Sequence, residues 1–253
     1  MGSKLETPIV RADIMYYDNI YPRNLPESVV AVLEKYGFFP PEKIYADRLT
    51  RGRYVNYKTE MREMFIRAYT EKDVFEVAMG DGDSSKVKDY WHFTWGFTFY
   101  KNSKLPVEPV FQPWNVLSID STYGRLRNPE AYDNYLKCIK EIIGILKPFY
   151  ASIDDVSNSI YLMKKAHESH FKPEYIQQIY WGNYFGEGHC NRYGMEKILH
   201  IPARQIEKIN GGVLFTLTDR IFSYNSGECI KARKAVQKYL NLCFDPNQSD
   251  HIL

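Results

Sequence analysis

YWHFTWGFTFY, residues 90–100, is the stretch of this sequence that most directly decides its fold. Aromatic residues alternate in it with small or polar residues, which is the side-chain period of a β-strand with one buried face. The aromatic set is Trp91, Phe93, Trp95, Phe97 and Phe99, and the alternate set includes His92, Thr94, Gly96 and Thr98. We therefore predict a strand that buries its aromatic set and turns His92, Thr94 and Thr98 to the other side.

A second apolar run, Val74 to Met79, comes shortly before this strand and is joined to it by GDGDSSKVKD, residues 80–89. Tight turns favour these residue types, because glycine adopts positive φ and aspartate can bond its own backbone. The two runs are therefore predicted to form an antiparallel hairpin.

The clearest helix pattern is NPEAYDNYLKCIKEIIGILKP, residues 128–148. Asn128 suits the N-cap, Pro129 suits the first helical position, and Pro148 ends the pattern. The apolar stripe comprises Tyr132, Tyr135, Leu136, Ile139, Ile142, Ile143 and Leu146. We expect this stripe to pack on the sheet, with the charged residues opposite it in solvent.

The remaining elements follow from shorter patterns of the same two kinds. Strands are predicted over residues 9–17, 43–49, 115–120, 179–185 and 213–218. Helices are predicted from Leu25 to Gly37 and over residues 59–69, 157–166, 173–179, 190–199 and, capped by Asn225 or Ser226, to about Leu242. This order favours an α+β fold, with helices packed on a mixed, largely antiparallel sheet. We predict one domain over residues 1–253, with two lobes joined near residues 105–113 as the alternative.

The composition describes a foldable chain without a strong charge preference. Hydrophobic residues make up 44% of the 253 residues, and 33 basic residues nearly balance 31 acidic ones. The net charge of +2 favours neither nucleic acid nor an acidic ligand. No apolar stretch approaches the roughly 20 residues that cross a bilayer, and the polar start, Met1 to Thr7, lacks a signal-peptide core. We therefore expect a cytoplasmic protein without membrane or nucleic-acid partners.

Two patterns suggest metal sites, and a simpler interpretation is favoured for each. Asp81 and Asp83 begin like a calcium loop, but Lys86 and His92 stand where that loop needs glycine and glutamate. His167 and His170 are three residues apart and could form a metal site with His189, although the HExxH pattern is absent. A hairpin turn and a solvated histidine pair explain these residues, so we predict no metal and no cofactor.

Catalytic motifs are also missing from the sequence. Gly182, Gly186 and Gly188 suggest a phosphate loop, but Asn191 stands where the dinucleotide fingerprint requires glycine, so a strand-to-helix turn is favoured. Cys190 adjoins His189 along the chain, which does not establish a catalytic pair. The sequence has no GxSxG elbow and no P-loop. We therefore predict that the protein is not an enzyme.

Several stretches resemble bacterial polymorphic-toxin immunity proteins, in particular the Immunity protein 52-like group. They are YWGNYFG (180–186), GGVLFTLTD (211–219), the helix from Asn225 to Leu240 and, near the start, YYDNIYPRNLPESV (16–29). The resemblance implies an inhibitor that binds a toxin made by the same or a neighbouring cell and blocks it. Such a protein needs no chemistry of its own.

The predicted partner is therefore a cognate toxin, and two loops supply the candidate contacts. They are the turn with Asp81 and Asp83, and the 182–192 segment with Tyr184, Glu187 and Arg192. Loops on a rigid sheet can present such groups without weakening the core. Two alternatives stay open: an enzyme of unrecognised type that uses a histidine-containing cleft, and a small-ligand-binding protein with an aromatic-rich sheet.

Overall fold

The computed structural model of this chain describes residues 9–17, 25–38, 43–46, 60–70, 76–82, 93–100, 114–157, 176, 178–223 and 225–242. Within them, nine strands form one sheet in the order β2-β3-β4-β5-β1-β6-β7-β9-β8. All pairings between the described strands are antiparallel. The α+β prediction with a largely antiparallel sheet is confirmed.

The described elements have the following bounds. The strands are β1 Ile9–Tyr17, β2 Lys43–Ala46, β3 Glu76–Gly82, β4 Phe93–Tyr100, β5 Trp114–Thr122, β6 Tyr150–Asp155, β7 Gly182–Phe185, β8 Gln205–Ile209 and β9 Gly212–Thr216. The helices are α1 Leu25–Lys35, α2 Met61–Thr70, α3 Tyr123–Leu126, α4 Pro129–Leu146, α5 Glu187–Tyr193, α6 Met195–Leu199 and α7 Gly227–Tyr239. None of the described helices is long and apolar enough to cross a membrane.

Strand β1 lies at the centre of the sheet, between β5 and β6. Its alternate residues Val10, Ala12 and Ile14 are fully buried, which is the burial pattern of a half-covered strand. Helix α4 covers this face: its Tyr135 hydroxyl donates to the carbonyl oxygen of Ile119 at 2.9 Å. Helix α1 packs beside α4. The opposite face carries α5, whose His189 ring packs against Tyr150.

Helix α4 follows its sequence pattern closely. The Asn128 side chain accepts hydrogen bonds from the backbone N–H groups of Glu130 and Ala131, and Pro129 takes the first position. Lys147 ends the helix in the left-handed conformation, immediately before Pro148. Six of the seven predicted stripe residues are buried. The seventh, Leu136, is half-buried and lies beside a cleft described below.

The predicted β3–β4 hairpin is present as two adjacent antiparallel strands. Phe97 pairs with Ile119 and Phe99 with Leu117 in the neighbouring strand β5, and both partners are fully buried. The side chains of the aromatic set lie outside the described part of the structure, so their burial stays a prediction. Gly80 to Gly82 continue β3, with a register shift after Asp81, so the turn begins later than predicted.

The structure also departs from the sequence prediction in several elements. Strands β6 and β8 and helix α3 were not predicted. The single helix expected near 190–199 is two helices, because Gly194 breaks it with a φ of +89°. Residues 178 and 179 are not helical, contrary to the helix expected over 173–179; the helix expected over 157–166 lies mainly outside the described residues. Helix α7 is capped by Ser226 and ends at Tyr239.

Candidate binding cleft at the edge of the sheet

The predicted contact residues fall in different environments. Glu187 and Arg192 are exposed on α5, as the surface prediction requires. Asp81 lies within β3, where its backbone pairs with that of Trp95. Its side chain lies outside the described part of the structure. Asp83 lies outside the described residues. The structure therefore brings Glu187 and Arg192 together on one helix.

Tyr184 is a core residue, and its prediction as a surface contact is wrong. Strand β7 is an inner strand between β6 and β9, and the Tyr184 side chain is only 1% exposed. Its hydroxyl donates to the carbonyl oxygen of Ile209 at 3.2 Å. Burial raises the pKa of this phenol to about 12. The hydrogen bond from Tyr184 to Ile209 therefore helps to fix the β8–β9 hairpin.

His189 is the described member of the predicted histidine group, and it is buried. Its Nδ1 lies 2.9 Å from the carbonyl oxygen of Phe149, so this nitrogen carries the proton of a hydrogen bond. The ring packs against Tyr150 and Phe185. His167 and His170 lie outside the described residues. In the part of the chain that is described, no cluster of three or more His, Cys, Asp or Glu residues could hold a metal.

Gly186 in the 182–188 segment allows close packing of the backbone. Gly186 is the N-cap residue of α5, and its N–H donates to the Phe149 carbonyl oxygen at 3.0 Å. A Cβ at this position would lie 2.3 Å from the Pro148 carbonyl oxygen. The segment is the strand-to-helix turn that the sequence favoured. Burial also raises the pKa of the neighbouring Cys190 thiol, which opposes formation of a nucleophilic thiolate.

A cleft of about 470 Å³ lies between helix α4 and the β8–β9 hairpin. Its lining residues are Leu136, Lys140, Ile153, Arg204, Gln205, Ile206, Glu207, Leu214, Phe215 and Thr216. This size is within the range of small-molecule sites in proteins. The cleft joins the helix-covered face of the sheet to its edge, because β8 is the last strand in the described order.

Two exposed ion pairs involve lining residues of this cleft. Lys140 of α4 contacts Glu207 of β8 at 2.5 Å, and Arg204 contacts Asp219 at 2.8 Å. The hydrogen bond from Arg204 lowers the pKa of Asp219. Exposed pairs of this kind contribute only about 0–1 kcal/mol to stability, so both cations can exchange partners at little cost.

Thr216 carries an unsatisfied polar group at the wall of the cleft. The residue is 6% exposed, and its Oγ1 atom has no hydrogen-bond partner in the described structure. It pairs with Gln205 across the β8–β9 ladder, which places it on the same face as Leu214 and Glu207. A buried hydroxyl without a partner costs about 1–3 kcal/mol.

The β8–β9 hairpin positions these residues, and the sequence contains the signal for it. Asn210 and Gly211 both have positive φ, 43° and 84°, as a two-residue turn of the Asn-Gly type requires. The Asn210 side-chain amide donates to the Gly144 carbonyl oxygen at 2.6 Å and ties the turn to α4. This Asn-Gly dipeptide could have predicted β8. The individual cleft residues show no motif in the sequence.

A second polar cluster lies on the opposite face, around β1. Arg11 donates two hydrogen bonds of 2.8 Å to the carboxylate of Asp120. Ser118 donates to Asp13 at 2.5 Å. Burial raises the pKa of Asp13, against the opposing effects of Arg11 and Ser118. These bonds join β1 to β5 across their ladder, so this cluster has a structural role in the sheet.

Comparison with solved structures gives a likeness in fold. No protein-family model and no curated protein matches this sequence, so the resemblance to the Immunity protein 52-like group stays a prediction. Among solved structures, the chain is similar to the Pseudomonas aeruginosa T6SS protein PA0821, with a TM-score of 0.60 and 13% sequence identity. The likeness covers 90% of this chain and 73% of that chain. It establishes that this chain has the fold of a protein described as part of a type VI secretion system.

Proposed function

We propose that this protein is an immunity protein that binds a cognate bacterial toxin in a stable one-to-one complex and blocks it. The observation that carries the proposal is the fold shared with a T6SS protein over 90% of this chain. A type VI secretion context fits a toxin-related role. The proposal also agrees with the short stretches that resemble immunity proteins. We expect the complex to form in the cytoplasm.

The exposed charges of helix α5 support a contact surface for such a partner. Glu187 and Arg192 lie at the two ends of a helix that packs on β7 and β9, so a rigid sheet supports them. A stable complex usually buries about 800 Å² per partner, with a few anchor residues supplying most of the affinity. Arginine is frequent among such anchors, which favours Arg192 over Glu187 as the stronger contact.

The decisive experiment is co-expression with the product of a neighbouring gene that is toxic when expressed alone. We expect survival to require this protein in about equal amount, and the purified proteins to elute together from a sizing column. Arg192→Glu should weaken the complex more than tenfold. Glu63→Lys, at an exposed position of helix α2 at the other end of the sheet, is the matched charge-reversal control and should leave affinity unchanged. Failure to form any complex would overturn the proposal.

Replacing two histidines distinguishes inhibition by occlusion from the enzymatic alternative. Inhibition by occlusion should persist in the His167→Ala, His170→Ala double variant, provided that circular dichroism shows it to be folded. Protection that is lost in this variant while the complex survives would instead support histidine-dependent chemistry. Protection by far less than one equivalent of protein would support turnover in the same way.

A further inference from the structure

We propose that the edge strand β8 accepts an extended segment of the toxin as an additional strand of the sheet, with an acidic and an apolar residue at alternate positions. The inference rests on the proposed function for the identity of the partner. Three features of Gln205–Ile209 lead to it: an open backbone edge, a charge pattern that opposes self-pairing, and a position next to helix α5.

The backbone of β8 is open on one side. Strand β8 is the last in the described sheet order and pairs with β9 on its other side. A two-residue turn joins the two strands, so the residues that flank it form a hydrogen-bonded pair, and such pairs alternate along the ladder. The backbone N–H and C=O groups of Ile206 and Lys208 therefore point away from β9. The side chains of Gln205, Glu207 and Lys208 are exposed, so solvent reaches this edge.

Open backbone groups on a sheet edge are recognised by another strand. The N–H and C=O groups of Ile206 and Lys208 can exchange hydrogen bonds with an extended segment, as in complexes that form by strand addition. An antiparallel segment would make these bonds at two positions separated by one residue. Its side chains at those two positions would lie on the same face of the sheet as Ile206 and Lys208.

The charges of β8 favour a different chain over a second copy of this one. In an antiparallel pairing of β8 with itself, a register centred on Ile206 places Arg204 opposite Lys208. A register centred on Glu207 or on Lys208 places that residue opposite its own copy. Like charges directly opposite each other destabilise a strand pair. Since each register contains such a pair, we expect the added strand to come from a partner of complementary charge.

Lys208 decides the charge of the added strand. It is exposed, and among the described residues no ion pair involves it, whereas Lys140 and Arg204 are paired with Glu207 and Asp219. An acidic residue directly opposite Lys208 would form a favourable cross-strand pair. An apolar residue two positions later in the same segment would contact Ile206, which is only partly buried.

The open edge adjoins the helix proposed to contact the toxin. Burial raises the pKa of the Cys190 thiol, and the charge of Lys208 opposes this effect, so Lys208 lies close to α5. Helix α6 packs against both α5 and β8. A single partner can therefore contact β8 and helix α5 together.

A synthetic peptide tests whether β8 accepts a strand. The probe is the capped heptapeptide Thr-Thr-Glu-Thr-Val-Thr-Thr, titrated into the full chain while the amide resonances of Ile206 and Lys208 are followed by NMR. We expect saturable shifts at millimolar concentration. N-methylation of the peptide's glutamate and valine, whose N–H groups would face β8, should abolish these shifts, whereas N-methylation of its central threonine should not. No saturable shift, or an equal loss with both N-methylated peptides, would overturn the proposal.

Charge reversal tests the role of Lys208. Lys208→Glu should weaken binding of this peptide by about fivefold and should strengthen binding of a peptide with lysine in place of glutamate, because favourable and unfavourable cross-strand pairs are exchanged. Lys231→Glu, at an exposed position of helix α7, is the matched control and should change neither affinity. A Lys208→Glu variant that kept the wild-type preference between the two peptides would contradict the acidic assignment.

Hydrogen exchange on the toxin complex tests the identity of the partner. We expect the amides of Ile206 and Lys208 to exchange at least about tenfold more slowly in the complex than in the free protein. A complex in which both amides exchange as in the free protein would overturn this inference and leave the proposed function intact. A free protein that elutes as a dimer with both amides already protected would assign the edge to a second copy and also overturn it. If no complex forms, the proposed function fails, and the peptide titration still decides whether β8 accepts a strand.

Discussion

Lys140 on helix α4 donates a hydrogen bond to Glu207 on the edge strand β8 at 2.5 Å, although 67 residues separate them in the sequence. This contact spans the cleft between the helix and the hairpin. The edge strand is thus held to the helix layer by the Lys140–Glu207 pair and by the Asn210 amide. Charged side chains on an edge strand also discourage pairing with other chains.

The first prediction is that this ion pair contributes little to stability. Both side chains are at least one-third exposed, so solvent screens their attraction. Lys140→Gln and Glu207→Gln should each lower the free energy of unfolding by less than about 1 kcal/mol. Urea denaturation at low and high salt provides the measurement. A loss of several kcal/mol in either variant would show that the pair is a structural requirement, contrary to this expectation.

The second prediction compares two threonines close together in the chain. Thr216→Val removes the unsatisfied hydroxyl and should raise the free energy of unfolding by about 1 kcal/mol. Thr218 is the control, because its hydroxyl accepts from Trp181 Nε1 at 2.8 Å and donates to the Arg220 carbonyl oxygen at 3.1 Å. Thr218→Val should therefore destabilise the protein by about 1–3 kcal/mol. Thermal melts that give both variants the same sign would contradict the assignment of Thr216.

The third prediction concerns the glycines of the strand-to-helix turn. Gly186→Ala places a Cβ 2.3 Å from a backbone oxygen and should destabilise the fold by about 3 kcal/mol or more. Gly188→Ala meets nothing within 4 Å and lies in α5, so it should be neutral or stabilise by up to about 1 kcal/mol. Denaturant midpoints of the two variants test this difference. A Gly186→Ala variant as stable as the wild type would contradict the close approach of Gly186 to the Pro148 carbonyl oxygen.

The fourth prediction is a pH dependence that arises from Asp13. Its folded-state pKa is raised above the ordinary 3.8, chiefly by burial, so the folded state binds the proton more tightly than the unfolded state does. The contribution of Asp13 to stability is therefore greatest at low pH and falls as pH rises from about 3.8 through the raised pKa.

Asp13→Asn removes this titration and keeps an oxygen that can accept from Ser118. The stability of the variant relative to the wild type should therefore increase with pH across this window. Asp133→Asn, which makes the same substitution at an exposed position on α4, is the matched control. Denaturation curves between pH 3 and 7 measure both. A difference that falls with pH in Asp13→Asn would mean that the carboxylate is stabilised in the folded state.

The sequence failed to predict strand β6 for a physical reason. Strand β6, YASIDD, carries Ser152, Asp154 and Asp155, and adjacent aspartates usually indicate a turn. All three are buried in the structure, and Asp154 accepts hydrogen bonds from the backbone N–H groups of Asp155 and Trp181. The Trp181 partner comes from a distant segment, which no local pattern in the sequence indicates.

Tyr184 illustrates the same limit for the candidate site. An aromatic residue between glycines in a predicted strand-to-helix segment has the composition of an exposed contact loop. The sheet order decides its burial, because β7 lies between two other strands. Glu187 and Arg192 are exposed as predicted, since they fall on the solvent side of a short helix just beyond that strand.

The sequence by itself determined the fold class, the α4 stripe with its Asn128 cap, the central strand β1 and the alternating strand β4. These features depend on local periodicity and on capping residues, which act within a few positions of the chain. The tertiary structure alone decided the sheet order and the cleft that joins Lys140, Glu207 and Thr216. Lys140 meets the β8–β9 hairpin through helix packing across 67 or more residues, for which local sequence patterns carry no signal.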